Sequence, residues 1–292
     1  MSKRQTAQGH RVAKASTPFY QQDLQLQTTY SDGRSSVEEI VLGSIANGRK
    51  IIGITDHAIG WCEEADNFDL FATGTEFEKY LHDIETAKKK YREQGVTVLA
   101  GLEVEVGLDG SLSLAPGILD VIGSADKLSN YVDYTLGVIH SESFTCSLQK
   151  TSEKPDESEK LKLLMQNIAR LIASPQILIW GHPSQVIHGQ YHRDFTPAER
   201  KTILKLLAQR TSPLYIEYNL NPFPRYVEWE GDLNRYVTRE LEPNDLTFLK
   251  ACATQGSSFV VNTDAHDIEQ TSRLNPSTVV PSFIADNIAI IA

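Results

Sequence analysis

The sequence predicts a single-domain α/β barrel, a ring of parallel strands with helices packed around it. Three observations carry that expectation. From about residue 23 onward, short apolar runs alternate with longer segments of helical spacing, the order in which a parallel sheet is built. The runs are rich in Ile, Val and Leu with little polar alternation, as in strands buried on both faces. Seven or eight such repeats in about 270 residues favour closure of the sheet over an open one.

In chain order, the apolar runs are DLQLQT (23–28), KIIGITDH (50–57), TVLAGLEVEV (97–106), DVIGSA (120–125), YTLGVIH (134–140), ILIWGHP (177–183), LYIEYN (214–219) and SSFVVNTDAH (257–266). Gly, Pro, Asn or Asp bounds each. Helical spacing marks 36–47, 75–94, 157–173, 197–210 and 244–255. Ser35 or Ser36 ahead of Glu38 and Glu39 predicts the first helix start, with acids near the positive end of the helix dipole. Thr196-Pro197 predicts another, a cap followed by an N1 proline. Two stretches break the rhythm: the polar QKTSEKPDESEK (149–160), a solvent loop leading into a helix, and the long connection at 221–245, which contains Arg225, Trp229 and Arg235.

Composition narrows the class. With 292 residues and 40% hydrophobic content, the chain is long enough for a full core. No run of 18 apolar residues exists, so no membrane helix is expected, and the N-terminus lacks the apolar stretch of a secretory signal. Cys62, Cys146 and Cys252 lie far apart without metal or disulfide spacing, which makes a reducing cytoplasm the simplest compartment. Net charge is −10, yet the first 22 residues hold Lys3, Arg4, Arg11 and Lys14 and no acid, leaving about −14 on the rest. Residues 1–22 therefore read as a basic flexible leader and 23–292 as the barrel. So acidic a body is a poor platform for long nucleic acid, whereas it suits a protein that concentrates divalent cations.

Reactive-looking residues sit at the carboxyl ends of the apolar runs: Asp56 and His57, Glu103 and Glu105, His140, His182, Glu217 and Asn219, Asp264 and His266. In a parallel barrel these ends share one rim, where active sites form. A lone histidine there is usually a hydrogen-bonded capping or core residue. Four of the eight at the same relative place, accompanied by carboxylates, point to a metal site. Imidazole with carboxylate, and no thiolate, suits Zn²⁺, Mn²⁺ or Fe. Asp264 and His266, two apart on a strand, point to one face. Glu103 has two oxygens and can bridge paired ions, the usual machinery of phosphoester hydrolysis.

The ordered runs DLQLQTTYSDG, GITDHA, GLEVEV, GVIHS, WGHPS, IEYN and NTDAH resemble the successive motifs of the polymerase-and-histidinol-phosphatase (PHP) family, over essentially the whole chain from residue 23. The similarity is greatest to the PHP domains attached to bacterial family X DNA polymerases. What the resemblance implies is a distorted (β/α)₇ TIM-like barrel, a two- or three-metal site and hydrolysis of phosphate esters. Carried over by motif position, Asp32, His57 and His266 would serve one ion and Glu103, His140 and His182 another. Asp264 would join Glu103 on a third, with two residues of the first strand; Glu217 and Asn219 would support. Glu103, His140, His182 and Asp264 would form the catalytic set.

The family's first motif reads D-L-H-x-H-T, and this chain has Gln25 and Gln27 in the two histidine places, with Asp23, Thr28, Ser31, Asp32 and Gly33 still matching. An amide oxygen is a neutral, weaker ligand than imidazole for Zn²⁺ or Mn²⁺. Even losses of supporting partners cost roughly 10–100-fold in affinity, so one of three metal positions is expected to be weak, leaving two. His10 lies in the leader and His82 inside a helix; His188 and His192 read either as loop residues or as substrate or rescue ligands. His188 and Arg225 are the substrate-binding candidates. Trp61 and Trp229 wall a pocket or pack under loops, and the cysteines read as inert. The expected function is therefore hydrolysis of a small phosphorylated or nucleotide-like substrate, short oligonucleotides included. The alternative is a non-catalytic barrel of the same family that binds a ligand, a partner or one ion. A related barrel, that of the amidohydrolases, is disfavoured because no lysine ends an apolar run.

Overall fold

The computed structural model describes residues 18–58, 70–149, 155–221, 226–230, 235–239 and 244–291. Among these, parallel strands β1 (Gln22–Leu26), β2 (Ile51–Ile54), β3 (Thr97–Val106), β5 (Tyr134–Val138), β6 (Ile179–Trp180), β7 (Tyr215–Asn219) and β10 (Phe259–Asn262) follow one another around a nearly closed barrel, and the short β4 (Leu112–Ser113) pairs antiparallel with β3. The first and last barrel strands meet at the bridge Leu26–Ala265, where Gln27 donates to the Ala265 carbonyl at 2.8 Å. A hairpin of β8 (Tyr226–Glu230) and β9 (Arg235–Arg239) occupies the long connection after β7.

Around the barrel lie α1 (Val37–Ala46), α2 (Gly74–Arg92), α3 (Pro116–Ile122), α4 (Ser141–Gln149), α5 (Glu157–Ala173), α6 (Gln185–Tyr191), α7 (Pro197–Gln209), α8 (Leu246–Thr254) and α9 (Ser282–Ala285). Ser36 caps α1 by a reciprocal capping box with Glu39, and Thr196 with Pro197 at N1 does the same for α7 through Glu199. The expected strand at 120–125 is absent: Pro116 opens a helix there, Ile118 and Ile122 are buried one turn apart, and Gly123, at φ +80°, ends it. A short apolar run reads alike as strand or buried helix, and here proline and glycine decide. The fold also begins before residue 23, since Phe19 and Tyr20 pack on the core and Gln22 is buried in β1. None of the described helices is long and apolar enough to cross a membrane.

Strand register explains where the site lies. Gly101, Glu103 and Glu105 on β3 pair with Tyr134, Leu136 and Val138 on β5; Glu217 and Asn219 on β7 pair with Val260 and Asn262 on β10. Residues two apart share a face, so along each strand the inward side changes character. Tyr134, Leu136, Val138, Ile179, Tyr215 and Val260 form one apolar cluster with Ala289–Ile291 of the C-terminal tail. Toward the carboxyl ends the same faces turn polar, at Glu103 and Glu105, Glu217 and Asn219, and Asn262. The lower barrel is plugged, and the upper mouth is left for chemistry. Tyr134 makes the plug tight: a Cβ on Gly101 would stand 2.5 Å from its ring, so only glycine fits there.

Candidate metal centre

Glu103 sits buried at the middle of the mouth. Its Oε1 lies 3.3 Å from His140 Nε2, 3.3 Å from His182 Nε2 and 3.6 Å from His57 Nδ1. Burial alone would raise its pKa, but the imidazoles of His57, His140 and His182 outweigh burial and hold the carboxyl well below the usual range. The same proximity raises His140 and His182: burial opposes their protonation, and the carboxylates of Glu105 and Glu103 for His140, and of Glu103 for His182, overcome it.

A second group adjoins the first through His57, whose Nε2 is 3.6 Å from Asp32 Oδ1. His266 Nε2 stands 3.3 Å from Asp32 Oδ2. Burial lowers the pKa of His266 less than Asp32 and Asp264 raise it, to about 9. In each group, Glu103–His140–His182 and Asp32–His57–His266, one donor atom per residue lies within 4.8 Å of the others. Imidazole nitrogens and carboxylate oxygens gathered this closely, with no thiolate, fit a divalent ion of the zinc, manganese or iron kind.

The supporting contacts orient these donors. Glu105 takes His140 Nδ1 and also accepts from Ser143 Oγ at 3.1 Å, which leaves His140 Nε2 facing Glu103. Its place two residues after Glu103 on β3 puts Glu105 on the same face, and the contact with His140 gives it an orienting role. Glu217 Oε2 accepts the His182 main-chain N–H at 2.7 Å. That contact matters because His182 has φ +26° and Asp264 φ +50°, left-handed values that non-glycine residues seldom adopt. Burial, with Asp264 nearby, pushes Glu217 up to about 7. His266 Nδ1 lies 3.0 Å from the Asp264 carbonyl. Asp56 is a brace: it accepts from Thr28 N at 2.7 Å, Thr28 Oγ1 at 2.8 Å and Ser31 Oγ at 2.6 Å, fixing the turn that carries Asp32.

The first strand behaves differently. Gln25 Nε2 donates to Glu103 Oε2 at 2.9 Å and Gln27 Nε2 at 2.7 Å. Asp264 reaches the same mouth, but it belongs to neither three-residue group; its Oδ2 accepts from Asn219 Nδ2 at 3.3 Å and Asn221 Nδ2 at 3.2 Å. Sequence reading did not single out Asn221. His188, on α6, is buried with Nε2 at 2.8 Å from Asp194 Oδ1. Cys252 is buried in α8, and burial raises its thiol pKa, so it is an inert core residue. Residues 1–17 with His10, and Trp61, Cys62 and Arg225, lie outside the described residues, as do the side chains of Cys146, Trp229 and Arg235.

Comparison with known proteins adds three findings. The profile of the PHP domain family matches residues 23–221. The DNA polymerase/3'-5' exonuclease PolX of Bacillus subtilis (strain 168) is 23% identical over 250 residues, which cover 85% of this chain and 34% of that protein. The chain thus spans about a third of the length of this curated relative. A histidinol phosphate phosphatase from Lactococcus lactis subsp. lactis Il1403, solved with zinc, L-histidinol and phosphate, shares the fold with a TM-score of 0.55 and 16% identity, over 87% of this chain and 90% of that one.

Proposed function

The chain belongs to the PHP domain family, and from that premise we propose that it is a divalent-metal-dependent phosphoesterase acting on a small phosphorylated or nucleotide-like substrate. The observation that carries this reading is the pair of adjoining donor groups, Glu103–His140–His182 and Asp32–His57–His266, with the His57 ring between them. Bound there, zinc, manganese or iron would supply Lewis-acid charge to a phosphoryl group and allow water to lose a proton at neutral pH.

The chain's own part is to hold donors in the right state. Glu105 holds His140 at Nδ1, so that with an ion bound in place of the second imidazole proton the lone pair would be on Nε2. Glu217 anchors the main chain under His182, and Asp56 anchors the turn under Asp32. Asp264, with Asn219 and Asn221 at its carboxylate, lines the side of the mouth next to Gln25. A small substrate is favoured by the net charge of −10, which repels long polyanions, and by the fold shared with a phosphatase solved with L-histidinol and phosphate. The exonuclease named in the Bacillus relative keeps short oligonucleotides within the class. His188 and Arg225 are the proposed substrate contacts.

The competing reading is a barrel of the same family that binds without turnover, and the amide contacts of Gln25 and Gln27 on Glu103 favour it. Metal analysis of protein purified without chelators, with hydrolysis of an aryl phosphate under added Mn²⁺ or Zn²⁺, separates the two. About two equivalents of transition metal and metal-dependent turnover are expected. Less than one equivalent and no turnover would select the binding module.

A further inference from the structure

We infer that Gln25 and Gln27 are positioning residues: their two amide N–H groups take the place of a cation on one oxygen of Glu103, so that this carboxylate serves a single ion through its other oxygen. The inference rests on the metal-centre reading above and deepens it.

A carboxylate ionised in this setting has only acceptors to offer, so the amide atom against it must be the nitrogen. Both glutamines are fully buried; Gln25 lies on β1 and Gln27 just past its carboxyl end, and both reach the same carboxylate oxygen. Their far ends are tied as well: Gln27 Oε1 lies 3.1 Å from Ser31 Oγ, and Gln25 Oε1 lies 3.5 Å from Asn219 Nδ2. The oxygens, the only amide atoms with lone pairs for a cation, are thus engaged elsewhere. Two N–H donors at 2.9 and 2.7 Å use the lone-pair directions of Glu103 Oε2. The neighbouring carboxylate, Asp264, is met in the same way by the amides of Asn219 and Asn221.

The donor set here therefore does not fit an ion. To admit one, both amides would have to turn over and abandon Glu103, and Asp264, the carboxylate on that side, belongs to neither group of histidines and acids able to hold an ion among the described residues. What the amides do instead is orient Glu103: with Oε2 held, Oε1 stays directed at His140 and His182. A buried carboxylate oxygen stripped of both partners would turn toward whatever donor remained.

The test is cobalt(II) titration followed by visible absorption, with metal content counted independently. The wild-type chain is expected to take two equivalents. In a His266→Ala background, which isolates the Glu103 group, adding Gln25→Leu and Gln27→Leu removes both donors at nearly constant size. Cobalt affinity should then fall ~10–100-fold, the range seen when partners that orient a ligand are lost, with a change in the absorption band that a purely structural role would not produce. The same Leu pair in the wild-type background should leave the Asp32–His57–His266 equivalent in place, which reports an intact fold. Gln25→His with Gln27→His should recruit a third equivalent. Should the double Leu variant fail to fold, each single Leu variant, keeping one N–H on Oε2, should show a smaller loss. Unchanged affinity and spectrum in the Leu variants, or three equivalents in the wild type, would overturn the inference. A wild type that takes up no cobalt would overturn the metal-centre reading itself, a distinguishable result.

Discussion

The two oxygens of Glu103 face two different surroundings within one side chain's width. Oε1 meets three imidazoles, from His57, His140 and His182, while Oε2 meets two amides, from Gln25 and Gln27. Both surroundings are buried and both are delivered by the ends of barrel strands, so the backbone treats them alike. Chemistry separates them. An imidazole can give up its proton and offer a lone pair to a cation, whereas an amide nitrogen can only donate. The barrel decides where a functional group goes, and the identity of the group decides whether that place holds an ion or a hydrogen bond.

The largest expected effect comes from removing the shared element. Glu103→Gln keeps the shape but deletes the charge that both sides address. Metal content should drop by at least one equivalent, and metal-dependent aryl phosphate hydrolysis should fall by more than the ~10–100-fold typical of supporting residues. Retention of two equivalents would show that the imidazole side holds its ion without the carboxylate. Next, His140→Ala and Asp32→Ala should each cost one equivalent, from different groups, and cobalt spectra of the two variants should sum to that of the wild type. Glu105→Gln should do less: it leaves all donors in place but loosens the His140 tautomer, and a ~10–100-fold weaker affinity confined to the Glu103 group is expected.

Much of this contrast was legible in the sequence, for a physical reason. Residues at strand ends converge on one rim whatever the details of packing, so His57, Glu103, His140, His182, Asp264 and His266 could be assigned to one mouth from position alone. The helix starts at Ser35 or Ser36 and at Thr196 were readable because capping is local, and the structure assigns the first cap to Ser36. Less accessible were features set by side-chain direction. Two glutamines in a ligand position imply a weak ion site, but only three-dimensional contacts reveal nitrogens aimed at Glu103. The helices α4 and α6 and the β8–β9 hairpin, none of them anticipated, follow strand ends in segments with weak periodicity. At 120–125 the apolar run was too short to carry a period, and α3 took it.

The smallest expected effect concerns protons, and it separates the ion-loaded from the metal-free chain. In the chelated protein His266 has its pKa raised to about 9 from 6.5, burial being outweighed by Asp32. Below 6.5 the folded and unfolded chains both carry the proton and the full stabilisation is present; it is lost as pH rises through 9. Glu217, raised from 4.5 to about 7 by burial, has the same sign, because the folded chain again binds the extra proton and stability declines between those values. The melting temperature of the chelated chain should therefore decline from weakly acidic to alkaline pH. An ion competes with the imidazole proton, so affinity at Asp32–His57–His266 rises over the same range. The gap in melting temperature between loaded and chelated protein should widen with pH, and His266→Ala should make the alkaline part of the chelated curve shallower, with His140 and His182 still contributing, while leaving the Glu217 part. A gap that narrows with pH would mean that these imidazoles do not exchange protons for an ion, and the imidazole side of Glu103 would then differ from the amide side in charge alone.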